Sequence, residues 1–556
     1  MNNATDDVAR AKSMLWDLLV FMFIGTTTFH SISKSPYIFT ARVNLQWSKR
    51  RPNICEIQFP PFHAPAIANR LRLAGRKTKL RTSAGGVALA CSVVFNFQVE
   101  AMINKFFLRG LGFFNDAYDL SVINIINVIL EHQYTKKVYD ASMKSNVSSA
   151  ALIGAVLGQL TFGVLGDIYG RKNCMVATCL LLIVGGILCA AAYGGSGNST
   201  LWFLVIARGV LGFGIGGEYP LAATSSSEDA TDPQDRNRRV ALTFSLQGVG
   251  FTMAALMGVL MVNVLEENAH NLEIMWRVLF GFGVLPALFL VYFRITAEET
   301  EGYKNMVNDN VHLAKVRWSF ILRYYGKNLL GTAGTWFLFD IVFYAQNLFT
   351  ASILTVVGAK STLHTVALQN LFIALVALPG YYTAVFFINK MGRKLIQLQG
   401  LTVMTIIFLA LGIWWDDIKQ QSTVFIILFG LTLYFSNFGP NMSTFVMPTE
   451  MYPTAIRSSC HGFSAACGKA GASIGSYGFS VWVNNPSFGY AGAWYTFSAI
   501  SLATIILTWF CMFDNNEGAE VMDNEFKRNL NNEDKETRES FTAAGGNFQP
   551  SHTPLN

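Results

Sequence analysis

The stretch from residue 158 to residue 172, GQLTFGVLGDIYGRK, ends an apolar run on a turn that carries glycine and charge. A shorter relative of it, NKMGRKLI, occupies residues 389–396. The glycine and the two basic residues recur in the same order, while Asn389 stands where the first copy has Asp167. An internal repeat of this kind indicates a chain built from two related halves. If Asp167 pairs with a charge on the neighbouring helix, the equivalent interaction in the second half is expected to be weaker, because Asn389 is neutral.

Apolar runs flank both copies of this repeat. Of the 556 residues, 52% are hydrophobic and 14% are charged, whereas a soluble chain carries roughly 25% charged residues. A helix needs about 20 residues to cross about 30 Å of hydrocarbon. We count twelve runs of this length, at about 111–131, 147–166, 173–194, 201–222, 239–264, 276–295, 329–349, 364–388, 395–415, 422–447, 460–483 and 492–513. The sequence therefore predicts an all-α polytopic membrane protein with twelve transmembrane helices in two six-helix halves.

Five regions follow from this pattern. They are a basic, poorly structured N-terminal extension (1–105), an N-terminal six-helix half (106–297), a cytoplasmic link (298–328), a C-terminal six-helix half (329–513) and a disordered cytoplasmic tail (514–556). The net charge of +7 comes from the extension, because residues 1–100 hold 13 Lys/Arg and 5 Asp/Glu. The rest of the chain is close to neutral, which argues against a nucleic-acid partner.

The distribution of Lys and Arg predicts the orientation in the bilayer. The links that follow even-numbered spans hold fifteen of these residues and the opposite links hold six. Basic residues favour the cytoplasmic side, so both termini are expected in the cytoplasm. The glycosylation sequons at Asn146 and Asn198 then lie on the outer side, which favours the plasma membrane.

Ionisable side chains inside the predicted spans are candidates for function. Each costs at least about 2.5–3.5 kcal/mol at the bilayer centre on insertion scales. Six stand out: Asp116 and Asp119 in span 1, Arg208 and Glu218 in span 4, Asp340 in span 7 and Lys469 in span 11. Arg208 could instead reach a helix end and act only as an anchor. Lys469 has apolar or small residues on both sides, so its ammonium would have difficulty reaching a helix end.

Span 7 combines a carboxyl group with aromatic side chains. Trp336, Asp340 and Tyr344 follow at helical spacing and form one stripe about 12 Å long. A carboxyl group between two aromatic rings needs a partner or a proton. Lys469 offers a compact ammonium suited to an oxyanion. Asp340 is therefore a candidate for coupling a bound anion to protons.

Three polar side chains add hydrogen-bonding groups at the depth of these charges. Asn441 follows Gly439-Pro440, which is expected to break span 10 and free backbone groups beside a cavity. Tyr219 lies next to Glu218 in span 4. Gln247 in span 5 is also explained by ordinary bonding between helices. The eight cysteines form no CxxC pair and show no paired spacing, so neither a disulfide framework nor a zinc site is expected. No cofactor is expected.

Several motifs resemble a known family. GQLTFGVLGDIYGRK is similar to the loop signature of the major facilitator superfamily, which is specific only for the fold. Four further stretches resemble the phosphate:proton symporters of fungi and plants. They are FFNDAYDLSVINI (113–125), GIGGEYPLAATSSSE (214–228), TWFLFDIVFYAQNLF (335–349) and NFGPNMSTFVMPTEMYPTAIRSSCHGFSAACGKAGA (437–472). The resemblance covers about residues 110 to 513 and leaves the N-terminal extension without a counterpart.

The resemblance implies roles for individual residues. It implies a phosphate pocket formed by Tyr219, Gln247, Trp336, Asp340, Tyr344, Asn441 and Lys469. It implies a proton route through Asp116, Asp119, Arg208, Glu218 and Asp340, and a gating motif at Gly163, Asp167, Gly170 and Arg171. The family usually has Asp where this chain has Glu218, which moves the charge by one methylene.

The hypothesis from the sequence is a proton-coupled symporter that imports inorganic phosphate by alternating access. In it, Arg208 holds the carboxylates after their protons leave. One alternative is a transporter of a glycerophosphodiester or another organophosphate on the same fold. A second is a phosphate-sensing transceptor, for which the short link and tail leave little room. No nucleophile, phosphate-binding Gly-Lys loop or metal cluster points to an enzyme.

Overall fold

The computed structural model describes residues 44–47, 55–58, 109–230, 232–308, 317–357, 362–483, 485 and 487–543. The chain divides into two compact units, residues 1–102 and residues 103–556. In the first unit, strand β1 (Asn44–Trp47) pairs antiparallel with strand β2 (Cys55–Gln58), with Leu45 opposite Ile57. The extension predicted over 1–105 therefore contains this short ribbon. Its other residues lie outside the described part of the chain.

The second unit is helical, and its first helices match predicted spans 1 to 6. They are span 1 (Arg109–Gln133), span 2 (Ala141–Tyr169), span 3 (Arg171–Ala190), span 4 (Gly197–Glu228), span 5 (Pro233–Val264) and span 6 (Ala269–Thr296). Polar residues fix where several of them begin. Asp140, Ser196, Asp232 and Asn268 each accept a hydrogen bond from a backbone N–H in the first turn of the helix that follows. Such N-caps satisfy donors that the helix itself leaves unpaired.

The remaining predicted spans also form helices. They are span 7 (Trp318–Leu354), span 8 (Leu363–Met391), span 9 (Arg393–Ile413), span 10 (Ser422–Asn437 and Pro440–Met451), span 11 (Arg457–Trp482) and span 12 (Gly489–Cys511). A single short turn of helix, Trp415–Ile418, lies between spans 9 and 10. The predicted break in span 10 is confirmed, since its two helical segments are separated at residues 438–439.

Eleven helices of the described residues are long and apolar enough to cross a membrane. Span 11 is not among them, because its sequence is rich in Gly and Ser and contains Lys469. Its 26 residues are nevertheless long enough to cross, and it packs between spans 2 and 7. The prediction of twelve spans is thus confirmed for eleven helices, while span 11 is a helix of sufficient length that is not apolar enough to count as a spanning helix by composition.

Two segments differ from the sequence prediction. The link predicted over 298–328 is shorter, because span 7 begins at Trp318, and it contains a helix at Glu301–Asn308. The tail predicted to be disordered over 514–556 contains a helix at Ala519–Ala543. This tail helix buries Phe526 to 1% exposure, with its ring 5.6 Å from that of Phe320 at the start of span 7. Burial of this apolar residue explains why a polar segment is helical.

The two copies of the repeat adopt the same turn. Gly170 between spans 2 and 3 has φ +92°, and Gly392 between spans 8 and 9 has φ +88°. Side chains rarely permit this backbone conformation, so glycine is required at both turns. The repeat seen in the sequence is therefore a repeat of the structure.

The two halves meet along pairs of spans. Span 2 packs on span 11, and span 5 packs on span 8. Gly163 of the predicted gating motif lies at the first contact, where a Cβ would come within 3.1 Å of the Cα of Gly462. Apolar side chains such as Leu285, Phe386 and Trp509 point outward with about 60% of their surface exposed. These side chains suit a lipid environment, as expected for a multi-pass membrane protein.

Candidate functional site

A buried ion pair lies in the C-terminal half and faces Tyr219 of the N-terminal half. Lys469 Nζ of span 11 is 3.1 Å from Asp340 Oδ2 of span 7. The ammonium also lies 4.6 Å from the ring centroid of Tyr219 and 4.4 Å from that of Tyr344. Each of the four residues is at most 2% exposed. The structure thus brings together a cation, a carboxyl group and two phenols from both halves.

Amide and hydroxyl groups extend this cluster. Gln247 Nε2 donates to the hydroxyl of Tyr219 at 3.0 Å, and the hydroxyls of Tyr219 and Tyr344 are 3.4 Å apart. Asn441 Nδ2 lies 3.2 Å from Gln247 Oε1 and 2.9 Å from the hydroxyl of Tyr381. Asn441 is the second residue of the second segment of span 10, so the break at Gly439 positions it. These groups can donate hydrogen bonds to an anion held by Lys469.

Trp336 contributes an apolar wall rather than a polar contact. Its ring packs on Gly468, where a Cβ would lie 2.5 Å from Trp336 Cδ1. It also meets the rings of Phe445 at 6.4 Å and His461 at 5.5 Å, edge to face. Trp336 therefore supports the backbone that carries Lys469.

Tyr381 of span 8 belongs to this network, although no pattern in the sequence singles it out. Its hydroxyl donates to Gln247 Oε1 at 3.0 Å and accepts from Asn441. An aromatic residue in an apolar span is usually core packing. Only the hydrogen bonds to Gln247 and Asn441, which are distant in the sequence, distinguish Tyr381 from an aromatic residue of the core.

Aromatic rings close the site on the side predicted to be cytoplasmic. Phe244 of span 5 stacks on Phe445 of span 10 with centroids 4.4 Å apart. Phe113 of span 1 lies 4.9 Å from Phe445 and 4.9 Å from Tyr219. We call Phe113, Phe244 and Phe445 the inner plug. It joins the two halves directly beneath the ion pair.

A hydrogen-bonded contact closes the opposite, outer side. Asn124 Nδ2 of span 1 donates to Asn370 Oδ1 of span 8 at 2.9 Å, and Asn124 Oδ1 accepts from the N–H of Ala351 of span 7 at 2.8 Å. We call this contact the outer seal. A pocket lined in part by Asn124, Asn370 and Tyr381 lies beside this contact. The two halves are therefore in contact both at the outer seal and at the inner plug.

The predicted gating motif lies at the end of span 2, on the side predicted to be cytoplasmic, and contacts the other half there. Asp167 accepts two hydrogen bonds of 2.8 Å from Ser459 of span 11, one from its N–H and one from its hydroxyl. Arg171 pairs with Glu228 at 2.6 Å and lies 3.1 Å from Asp167. At the repeated position, Asn389 donates to the carbonyl of Gln234 at 3.0 Å. As expected from the sequence, the second copy of the repeat has a hydrogen bond between neutral groups where the first copy has the carboxylate of Asp167.

The two aspartates of span 1 differ in their surroundings. Asp119 accepts from Asn115 Nδ2 at 3.0 Å. Both carboxyl oxygens of Asp116 are buried and have no hydrogen-bond partner among the described residues. A carboxyl group in this state is stable only when neutral.

Glu218 of span 4 has a partner that the sequence did not suggest. Arg294 Nη1 and Nη2 of span 6 donate to its two carboxylate oxygens at 2.6 Å each. The hydroxyl of Thr178 donates to it as well. Arg294 lies in the last turn of its helix, where a basic residue is an ordinary indicator of orientation in the bilayer. The signal that could have identified it is its place inside the predicted span 276–295.

Arg208 lies near Asp119, but in the described part of the chain it forms no ion pair with Asp119, Asp116 or Glu218. Its Nε donates to the carbonyl of Val147 at 2.8 Å, and its guanidinium lies 5.6 Å from the ring of Phe280. Among the described residues, its Nη1 and Nη2 have no hydrogen-bond partner. In this structure Arg294, and not Arg208, forms the ion pair with Glu218. No group of three His, Cys, Asp or Glu side chains in the described part of the chain could hold a metal ion.

Comparisons with known proteins agree with this architecture. The sequence profile of the family described as "Sugar (and other) transporter" matches residues 105–319 and 330–518. The "Probable inorganic phosphate transporter 1-6" of Arabidopsis thaliana is 34% identical over 491 residues, which cover 77% of this chain and 94% of that protein. The "Low affinity inorganic phosphate transporter 3" of Petunia hybrida is 36% identical, over 67% of this chain and 80% of that protein.

Solved structures of the same fold exist. The major facilitator proton:xylose symporter XylE superposes with a TM-score of 0.63 at 16% identity, covering 76% of this chain and 98% of that one. Such a similarity establishes the fold. The chain therefore belongs to the sugar (and other) transporter family of the major facilitator superfamily, in the same group as the inorganic phosphate transporters of plants.

Proposed function

We propose that the protein is a proton-coupled symporter that imports inorganic phosphate by alternating access. The central site supplies one ammonium, from Lys469, and hydrogen-bond donors from Tyr219, Tyr344, Gln247 and Asn441. A phosphate anion needs this combination of a cation and several donors. Relatives that carry the name inorganic phosphate transporter support the same substrate.

The contact between Lys469 and Asp340 carries the proposal. When Asp340 is ionised the pair has no net charge, and the site attracts an anion weakly. A proton on Asp340 leaves the charge of Lys469 free to balance dihydrogen phosphate. The 3.1 Å separation in a buried site makes this exchange effective, because water screens neither charge. Phosphate and a proton therefore bind together.

We assign the remaining proton route to the charged residues of the N-terminal half. Asp116 and Asp119 of span 1 are buried beside Glu218 and Arg208 of span 4. An uncompensated charge at this depth is costly, so each carboxyl group carries a proton or has a cationic partner.

Transport follows from opening one closure at a time. Opening the outer seal at Asn124 would admit phosphate and protons, and opening the inner plug would release them. We assign Gly163, Asp167, Gly170 and Arg171 to the inner closure, since Asp167 bonds across the halves to Ser459. The distribution of basic residues supports cytoplasmic termini, and the sequons at Asn146 and Asn198 support the plasma membrane.

Uptake of labelled phosphate into liposomes that contain the purified protein tests this function. We expect saturable uptake that excess unlabelled phosphate abolishes and excess glycerophosphocholine leaves nearly unchanged. Stronger competition by glycerophosphocholine would favour the organophosphate transporter. Binding of phosphate without any uptake by folded protein would favour the sensor.

A further inference from the structure

The ion pair between Glu218 and Arg294 lies against span 1. A Cβ on Gly112 would touch Arg294 Nη2 and come within 2.7 Å of Glu218 Oε2. Asp116 follows Gly112 by four residues and therefore lies one helical turn further along the same face. The three side chains form one buried cluster of two carboxyl groups and a single guanidinium.

Charge balance assigns the protons within this cluster. Arg294 donates to both oxygens of Glu218 at 2.6 Å, a bidentate geometry that requires an ionised carboxylate. Both oxygens of Asp116 lack a partner among the described residues, so Asp116 is neutral. Other titratable groups that face Asp116 are Asp119 on its own helix, Cys179 of span 3, Tyr219 of span 4 and Tyr344 of span 7. Arg294 is the cation of this set, and Glu218 already neutralises it.

We propose that Arg294 is a positioning residue for proton coupling: by holding Glu218 ionised, it makes Asp116 the carboxyl group of this cluster that carries the transported proton. Asp116 takes that proton from the outer solution and releases it to the cytoplasm, and only its O–H bond forms and breaks. The guanidinium one turn away stabilises the anion left on Asp116. This inference rests on the proposed function and reassigns Glu218 from proton carrier to fixed counter-ion.

Charge-balanced variants test the assignment. Glu218→Gln leaves Arg294 without a partner, so Asp116 replaces Glu218 as its counter-ion and stays ionised. The double variant Glu218→Gln with Arg294→Gln restores the balance and returns the proton to Asp116. Two readouts are measured in proteoliposomes: phosphate accumulation driven by a pH gradient, and exchange of internal for external phosphate without a gradient.

We expect Glu218→Gln to lower accumulation at least about tenfold, which corresponds to about 1.4 kcal/mol, while exchange persists. The double variant should recover most of the accumulation. Adding Asp116→Asn to Glu218→Gln or to the double variant should abolish gradient-driven accumulation, while phosphate exchange remains. Glu273→Gln is the matched control, because it removes the half-exposed partner of Arg277 in the same helix, 2.7 Å away. That variant should behave like the wild type.

A double variant that exchanges phosphate yet accumulates no better than Glu218→Gln would overturn the inference, since Glu218 would then itself have to carry the proton. Gradient-driven accumulation by Asp116→Asn would overturn it as well. Exchange in each variant shows that the protein is folded. A wild-type protein that neither exchanges nor accumulates phosphate would instead refute the proposed function, and this inference with it.

Discussion

At the scale of single residues, Lys469 and Asp340 lie 3.1 Å apart with at most 2% of either side chain exposed. Water cannot screen charges at this depth, so the proton on Asp340 decides the charge of the site. The sequence identified both residues because charge is rare in apolar spans. It did not identify Arg294 or Tyr381, since a basic residue near a helix end and a tyrosine in an apolar run are both ordinary.

Substituting Lys469 tests the anion site. Lys469→Ala removes a charge-assisted contact of about 1.5–3 kcal/mol, so we expect the affinity for phosphate to fall by about 10- to 150-fold. Equilibrium binding of labelled phosphate to purified protein measures the change. The exposed Lys390 of span 8 serves as the control in Lys390→Ala. Equal affinities in the two variants would locate the anion site elsewhere.

Substituting Asp340 separates binding from coupling. Asp340→Asn keeps a hydrogen-bond donor beside Lys469 but cannot exchange a proton. We expect gradient-driven accumulation to be lost while phosphate exchange without a gradient remains. Asp416→Asn, at a carboxylate that is 88% exposed, is the control. Accumulation by Asp340→Asn at the wild-type level would remove Asp340 from the coupling step.

The hydroxyl of Tyr381 is expected to position Gln247 and Asn441. Tyr381→Phe removes its hydrogen bonds to both, each worth about 1 kcal/mol net. Phosphate affinity should therefore fall by about five- to thirtyfold. Tyr382→Phe, on the adjacent residue with 45% exposure, should change affinity little. If the two variants bind phosphate equally well, Tyr381 has no part in the site.

At the scale of elements, hydropathy and turn residues predicted most helices. The break in span 10 was predictable because proline follows glycine inside an apolar run. The tail helix was not, because Asn and Glu dominate its sequence and its few apolar residues become buried only against span 7 and the loop before span 11. Asp523 of this helix accepts from the N–H and hydroxyl of Thr454 at 2.7 and 2.8 Å. Because these partners are distant in the sequence, no local sequence pattern predicts the helix.

Docking of the tail helix should depend on Phe526. Phe526→Ala removes a ring that is 1% exposed, and truncating a buried Phe costs about 3–5 kcal/mol. We expect limited proteolysis of the full-length protein in detergent to cleave the tail much faster. Glu520→Ala changes an exposed residue of the same helix and provides the comparison. Equal cleavage rates would mean that Phe526 does not hold the helix.

At the scale of the whole molecule, the repeat predicted two halves, and the structure closes them against each other on both sides. The outer seal uses neutral amides, and the inner plug uses aromatic rings. Neither could be predicted, since each depends on residues from different halves meeting in one conformation. Between them lies a site whose charge depends on one proton, as proton-coupled uptake of an anion requires.

Accumulation of labelled phosphate in proteoliposomes with an imposed pH gradient tests the central claim most directly. The wild-type protein should concentrate phosphate inside when the outside is more acidic, and a protonophore should abolish that accumulation. Without a gradient, phosphate should only equilibrate. Uptake by folded protein that proceeds equally with and without the gradient would contradict proton coupling at this site.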